Sequence, residues 1–179
     1  MFDKLFSLEP DYFRLPSPLF DEDMTLSKMR DTLGFFAPLI LFGLTVGKLA
    51  ARPPYLVSYV VGFFMNMALN SVAKLWIKEE RPEGGRNLFS WEHYSGPEKY
   101  GMPSLHAQSD MYSIVFLSST GSSPAWIIFG LFLYSLTLYQ RWSYRRHTIQ
   151  QLIAGTGLGA TLAWIIYGMT QFYLRTQSR

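Results

Sequence analysis

Apolar residues gather into five runs behind a polar segment spanning residues 1–31. The first reads LGFFAPLILFGLTVGKLA, from Leu33 to Ala50, and the second runs from Tyr55 to Trp76. The third, from Pro103 to Ser119, is short and starts polar; the fourth runs from Ala125 to Tyr139 and the fifth from Gln151 to Leu174. A helix needs roughly 20 mostly apolar residues to cross a bilayer. The first, second and fifth runs meet that length. The third and fourth are marginal alone, but the TGSSP between them makes a tight turn, so they predict a helical hairpin. Tyr55, Trp76, Trp126, Tyr139 and Tyr173 fall near run ends, where an interfacial aromatic belt sits. Five such runs would overfill a soluble core in a chain this short. The expected fold is all-α: a polytopic transmembrane bundle of about five spans in a single domain, residues 1–179.

The breaks are as informative as the runs. Gly, Pro and charge mark Lys78 to Gly101 as a polar loop, with short helices at most. Pro10, Pro16 and Pro18 exclude a long helix near the start, and TLSKMRDTL, from Thr25, is expected to begin the helix leading into the first span. There is no internal repeat, no low-complexity tract and no charged-then-apolar leader pattern. With five spans, the loop between spans two and three and the RWSYRRH link between spans four and five fall on one face. The first residues share that face.

Composition narrows the chemistry. The 179 residues are 49% hydrophobic and 17% aromatic, yet long polar stretches hold the mean hydropathy to +0.07. A net charge of +3 suits an anionic substrate or lipid head groups and is too small to argue for nucleic acid. The absence of cysteine excludes disulfides, zinc–thiolate sites and cysteine nucleophiles.

Three histidines occur, and two of them, His106 and His147, stand at span boundaries. Lys74, Arg81 and Arg141 also lie near span ends. Charges at membrane depth are costly, so they usually face a site or one another. Asn66, Asn70 and Lys74 recur at helical spacing on span two; Tyr134, Thr137 and Arg141 share a face of span four; His147, Gln151, Gly155 and Gly159 line span five. Each stripe alone is explained by hydrogen bonds between helices and by snorkelling cations. Their convergence points to a site. Three cations can clamp a phosphate or diphosphate, and two histidines divide into nucleophile and general acid. Glu79, Glu80 and Glu83 are read as solvated or ion-paired loop residues rather than metal ligands.

The motifs then resemble a known family. KLWIKEERP is Lys, six residues, Arg-Pro; PSLH is close to a Pro-Ser-Gly-His box; RWSYRRH is Arg, five residues, His. In this order and spacing they resemble the three signature motifs of the type 2 phosphatidic acid phosphatase superfamily, over Lys74 to Gln151. KEERPEGG, KYGMPSLHAQ and RHTIQQLIAG resemble its dolichyl-diphosphate phosphatase branch. The resemblance implies that His147 attacks phosphorus to form a phosphohistidine and that His106 protonates the leaving group. It implies that Lys74, Arg81, Arg141 and Ser104 hold phosphoryl oxygens, and that no metal or other cofactor is needed. The implied partners are a phosphorylated isoprenoid and the surrounding membrane lipids, and the implied membrane is the endoplasmic reticulum in a eukaryote or the plasma membrane in a bacterium.

Three positions depart from the general motif. Leu105 replaces Gly, Gln140 replaces Ser, and Gln151 stands where an Asp orients the nucleophile. Gln151 is expected to orient His147 by a hydrogen bond from one helical turn away, with less stabilisation of the imidazolium. His93 matches no motif and reads as a loop histidine. Asp110 tunes His106, pairs with a motif cation, or is a plain polar residue at a helix start. The rival functions are a phosphatidate or broad lipid-phosphate phosphatase and a non-catalytic membrane scaffold. Orientation is double-valued: Lys and Arg number twelve on the motif face and four on the other, which favours the cytoplasm, whereas the resemblance implies a lumenal or periplasmic face.

Overall fold

A computed structural model describes residues 21–178. Five helices follow one another: α1 (Asp21–Leu49), α2 (Pro53–Ile77), α3 (Leu105–Ser119), α4 (Pro124–Ser143) and α5 (Ile149–Gln177). The described residues contain no strand. α1, α2 and α5 are long and apolar enough to cross a membrane. α3 has 15 residues and α4 has 20, and they pack together as the hairpin the TGSSP turn predicts. The turn uses Gly121 at φ +76°, a left-handed conformation that glycine adopts without strain. α1 begins at Asp21, ahead of the expected Thr25; the expectations for Pro10, Pro16 and Pro18 lie outside the described residues.

Chain breaks follow local chemistry. Pro53 and Pro54 open α2 and Pro124 opens α4, where a missing N–H costs nothing. Lys78 ends α2 in a left-handed cap at φ 54°. The polar loop that follows is irregular apart from one 3-10 helix, Gly96–Lys99.

The helices alternate in direction, so the bundle has two ends. One gathers the ends of α2 and α4 and the starts of α1, α3 and α5, as the contacts Arg141–His106, Phe35–His106 and Tyr144–Asp31 record. At the other end Arg52 donates to the Thr120 carbonyl and Gln171 to the Tyr55 hydroxyl. The two polar connections therefore share a face, as the five-span count requires.

α3 lies at the centre, packed on all four other helices. Tyr59, Phe63, Tyr112 and Phe116 build an aromatic core from α2 and α3, with Ala163 of α5 closing against it. Outward-facing side chains such as Trp76, Phe132, Trp164 and Phe172 are large, apolar and exposed, as lipid contact demands. Lipid is as apolar as such a core, so close packing and hydrogen bonds must hold these helices together. Gly155 and Gly159 supply the packing: a Cβ at Gly155 would overlap the Ser104 carbonyl, and one at Gly159 the Gln108 carbonyl. Gln108 supplies the bonds. Its amide accepts from Asn70 at 2.6 Å and donates to Asn66 Oδ1 at 2.8 Å. Two members of the α2 stripe are therefore structural, and only Lys74 reaches the site.

Candidate active site

His147 stands in the link between α4 and α5, not on the helix as its spacing suggested. Thr148 caps α5, and Gln151, three residues on, closes a capping box: Gln151 N donates to Thr148 Oγ1 and Thr148 N to Gln151 Oε1, both at 3.2 Å. The box turns the Gln151 side chain back toward His147. His147 Nδ1 lies 3.0 Å from the Gly101 carbonyl and 3.2 Å from Gln151 Oε1. Both are acceptors, so Nδ1 carries the proton. On the other side of the ring Arg81 Nη1 donates to Nε2 at 3.1 Å. Guanidinium has no acceptor, so Nε2 presents its lone pair.

Arg81 is the hub of the loop. Its Nη1 also donates to the Arg146 carbonyl, and its Nε and Nη2 to the Glu98 carbonyl at 3.0 and 2.9 Å. Lys74, buried at the end of α2, donates to Glu98 Oε2 at 2.7 Å. Arg141, buried at the end of α4, lies over the Phe35 ring and donates to His106 Nε2 at 2.8 Å. Phe35 also packs edge-on to His106. Ser104 stands at the N-cap of α3, two residues before His106, so the start of that helix lies beside the site. Ser104 Oγ and Arg141 Nε are buried without a protein hydrogen-bond partner.

Burial depresses the His147 pKa well below 6.5, and the nearby charges of Arg81, Arg141 and Lys74 push the same way. Burial likewise draws Arg81 down to about 10, against the pull of Glu98, and leaves it a cation at neutral pH.

All seven site residues expected from the sequence come together here: His147, His106, Gln151, Lys74, Arg81, Ser104 and Arg141. His93 is exposed and takes part in none of these contacts. Asp110 is buried one turn beyond His106 and forms no ion pair among the described residues; the neighbouring Thr137 hydroxyl donates to the Gly34 carbonyl. Four participants escaped the sequence reading: Gly101, Glu98, Tyr94 and Arg146. Tyr94 places its ring 4.5 Å from Arg81 and 3.6 Å from Arg146, spacing the two cations. Glu98 lies 24 positions from Lys74 on the short 3-10 helix of the loop, and no periodicity marks it.

Comparison with known proteins then decides the family. The profile of the PAP2 superfamily matches residues 55–175. The chain belongs to the PAP2 superfamily. It is also 29% identical over 171 residues to Dolichyldiphosphatase 1 of Dictyostelium discoideum, covering 89% of this chain and 68% of that protein. No solved structure matches. With this family and these apolar helices, the protein is an integral membrane lipid phosphatase.

Proposed function

We propose that the protein hydrolyses a polyprenyl diphosphate to the monophosphate and inorganic phosphate through a phosphohistidine on His147. One observation carries this reading: Nδ1–H is tied to two acceptors, which leaves the Nε2 lone pair facing the Arg81 guanidinium. A phosphoryl group bound by Arg81 lies in front of that lone pair. In the first half-reaction Nε2 bonds to the terminal phosphorus as the bond to the bridging oxygen breaks. His106, which takes up a proton on Nε2 once Arg141 has left it, gives that proton to the bridging oxygen, and the polyprenyl monophosphate leaves. In the second, water attacks phosphorus, His106 takes its proton, and the N–P bond breaks to release inorganic phosphate. Lys74, Arg81 and Arg141 hold the equatorial oxygens with Ser104 and the α3 N-terminus, so charge is stabilised where it develops. In doing so Arg81 Nη1 turns from His147 Nε2 to the phosphoryl oxygens, Arg141 leaves His106 Nε2, and Lys74 leaves Glu98.

Two further observations favour this substrate. The Dictyostelium relative bears the name of a dolichyldiphosphatase. An apolar groove of about 350 Å³ runs between α4 and α5, lined by Tyr134, Leu138, Trp142, Ile149 and Ile153. Trp142 follows Arg141 and Ile149 lies two residues past His147 in the sequence, and we assign this groove to the isoprenoid chain. The endoplasmic reticulum membrane is the matching location. Purified protein in detergent is to be assayed for phosphate release from a polyprenyl diphosphate and from phosphatidate. The reading requires the diphosphate to be preferred in kcat/KM and an acid-labile, alkali-stable phosphoenzyme to be trapped on quenching. Preference for phosphatidate rejects the substrate, and absence of the phosphoenzyme rejects the covalent route.

A further inference from the structure

Glu79 was read from the sequence as a loop carboxylate, yet it is the next group in line behind the nucleophile. Gln151 Nε2 donates to Glu79 Oε1 at 2.8 Å and to the Glu80 carbonyl at 2.8 Å. Gln151 Oε1 faces the opposite way, toward His147 Nδ1–H and the Thr148 N–H. The backbone closes the same circuit: Gly101 N donates to the Glu79 carbonyl at 2.8 Å, and the Gly101 carbonyl accepts from His147. A Cβ on Gly101 would overlap the Gln151 amide, so the amide packs directly on the Gly101 backbone.

We propose that Glu79 is a positioning residue for the phosphatase reaction, acting on His147 through the Gln151 amide. The proposal rests on His147 being the nucleophile. An amide can present either end, and a flipped Gln151 would set its NH₂ against two N–H donors. Glu79 is an acceptor only, so its carboxylate fixes the orientation in which Oε1 faces His147. That orientation holds the proton on Nδ1 and leaves Nε2 free for phosphorus. Attack makes His147 an imidazolium, and the negative charge of Glu79, one amide away, polarises the amide toward it. The carboxylate missing at position 151 is thus supplied from the loop. The other charged and titratable groups around His147 are Lys74 from α2, Arg81 and Glu98 from the loop, Arg141 from α4, Arg146 from the α4–α5 link and His106 from α3. The cations repel an imidazolium and Glu98 is engaged by two of them, so Glu79 works against the balance.

An isosteric exchange tests this. Glu79→Gln is expected to lower kcat about tenfold with KM little changed, and to move the acid limb of kcat/KM to lower pH, because the imidazolium loses a favourable charge. Gln151→Glu sets a second carboxylate against Glu79 and is expected to lose more. The double variant Glu79→Gln, Gln151→Glu restores one carboxylate and one amide, now with the carboxylate on Nδ1–H. Its kcat is expected to exceed that of either single variant, and its acid limb to move to higher pH than wild type. Strong non-additivity of this sign is the mark of two residues acting on one atom. Three results overturn the proposal: Glu79→Gln within twofold of wild type, an acid limb that stays in place, or a double variant no better than the product of the singles. Trapped phosphoenzyme separates the two readings. Its persistence in His147→Ala rejects the nucleophile assignment; its loss there, with an indifferent Glu79, rejects only the inference.

Discussion

His147 meets two demands that conflict in water: it must be a neutral nucleophile, and it must sit among cations that bind phosphate. Burial and the charges of Arg81, Arg141 and Lys74 resolve the conflict by holding its pKa well below 6.5. The sign follows directly. A depressed pKa keeps the imidazole neutral down to pH values well under its ordinary titration, so the acid limb of kcat/KM in wild type is expected below pH 6.5. A limb at or above that value in the free enzyme's profile contradicts this placement. His147→Ala removes the attacking nitrogen without disturbing the capping box, which is made by Thr148 and Gln151. It is expected to abolish phosphate release while the protein still extracts as a folded monodisperse species. Gln151→Leu deletes the Oε1 acceptor and is expected to lower kcat about tenfold to a thousandfold, the range of a positioned hydrogen bond worth roughly 1.5–4 kcal/mol. The Gly101 carbonyl remains as a second acceptor, which places the outcome toward the smaller end.

Two elements set the site's shape. The first is the α3–α5 contact, where glycines let the Ser104 and Gln108 carbonyls of α3 touch the α5 backbone. Gly159→Leu forces these helices apart within a close-packed interface and is expected to cost about 1–3 kcal/mol or more, read as a lower thermal midpoint in detergent. Activity falls with it, because His106 and Gln151 ride on the two helices. The second element is the loop 3-10 helix, which brings Glu98 onto Lys74 and Arg81. That carboxylate occupies donors that phosphate requires. Its side chain is 38% exposed, so solvent screening weakens the pairing. Glu98→Gln is expected to lower KM for the diphosphate by about threefold to tenfold, which corresponds to roughly 1 kcal/mol of released competition. An unchanged KM shows that Glu98 yields its donors without cost.

Across the whole bundle, charge is sorted by function rather than by pairing alone. Three loop carboxylates are engaged separately: Glu79 with Gln151, Glu98 with Lys74 and Arg81, and Glu92 with the Leu88 and Phe89 N–H groups and the Tyr94 hydroxyl. Glu80 and Glu83 are exposed. Carboxylates dispersed in this way do not form a cage for a divalent ion, while cations surround the nucleophile. Turnover is therefore expected to be unchanged by EDTA; loss in EDTA with recovery in Mg²⁺ transfers the phosphate-binding role to the glutamates.

The sequence determined the number of helices, their order and the face shared by both polar loops. These follow from the length and composition of local runs, which the bilayer's thickness constrains. It also determined which histidines and cations converge, since motif residues at the ends of alternating helices must meet at one end of the bundle. Only the tertiary structure decided what orients the nucleophile. The partners are remote: Gly101 stands 46 positions from His147, and Glu79 stands 72 from Gln151. Helical periodicity suggested that Gln151 reaches His147 along one helix face. The actual contact arises because His147 precedes the helix and the capping box folds Gln151 back. Local patterns carry no information on which loop backbone packs against that amide, because side-chain and backbone acceptors in an irregular loop are chosen by packing, not by spacing.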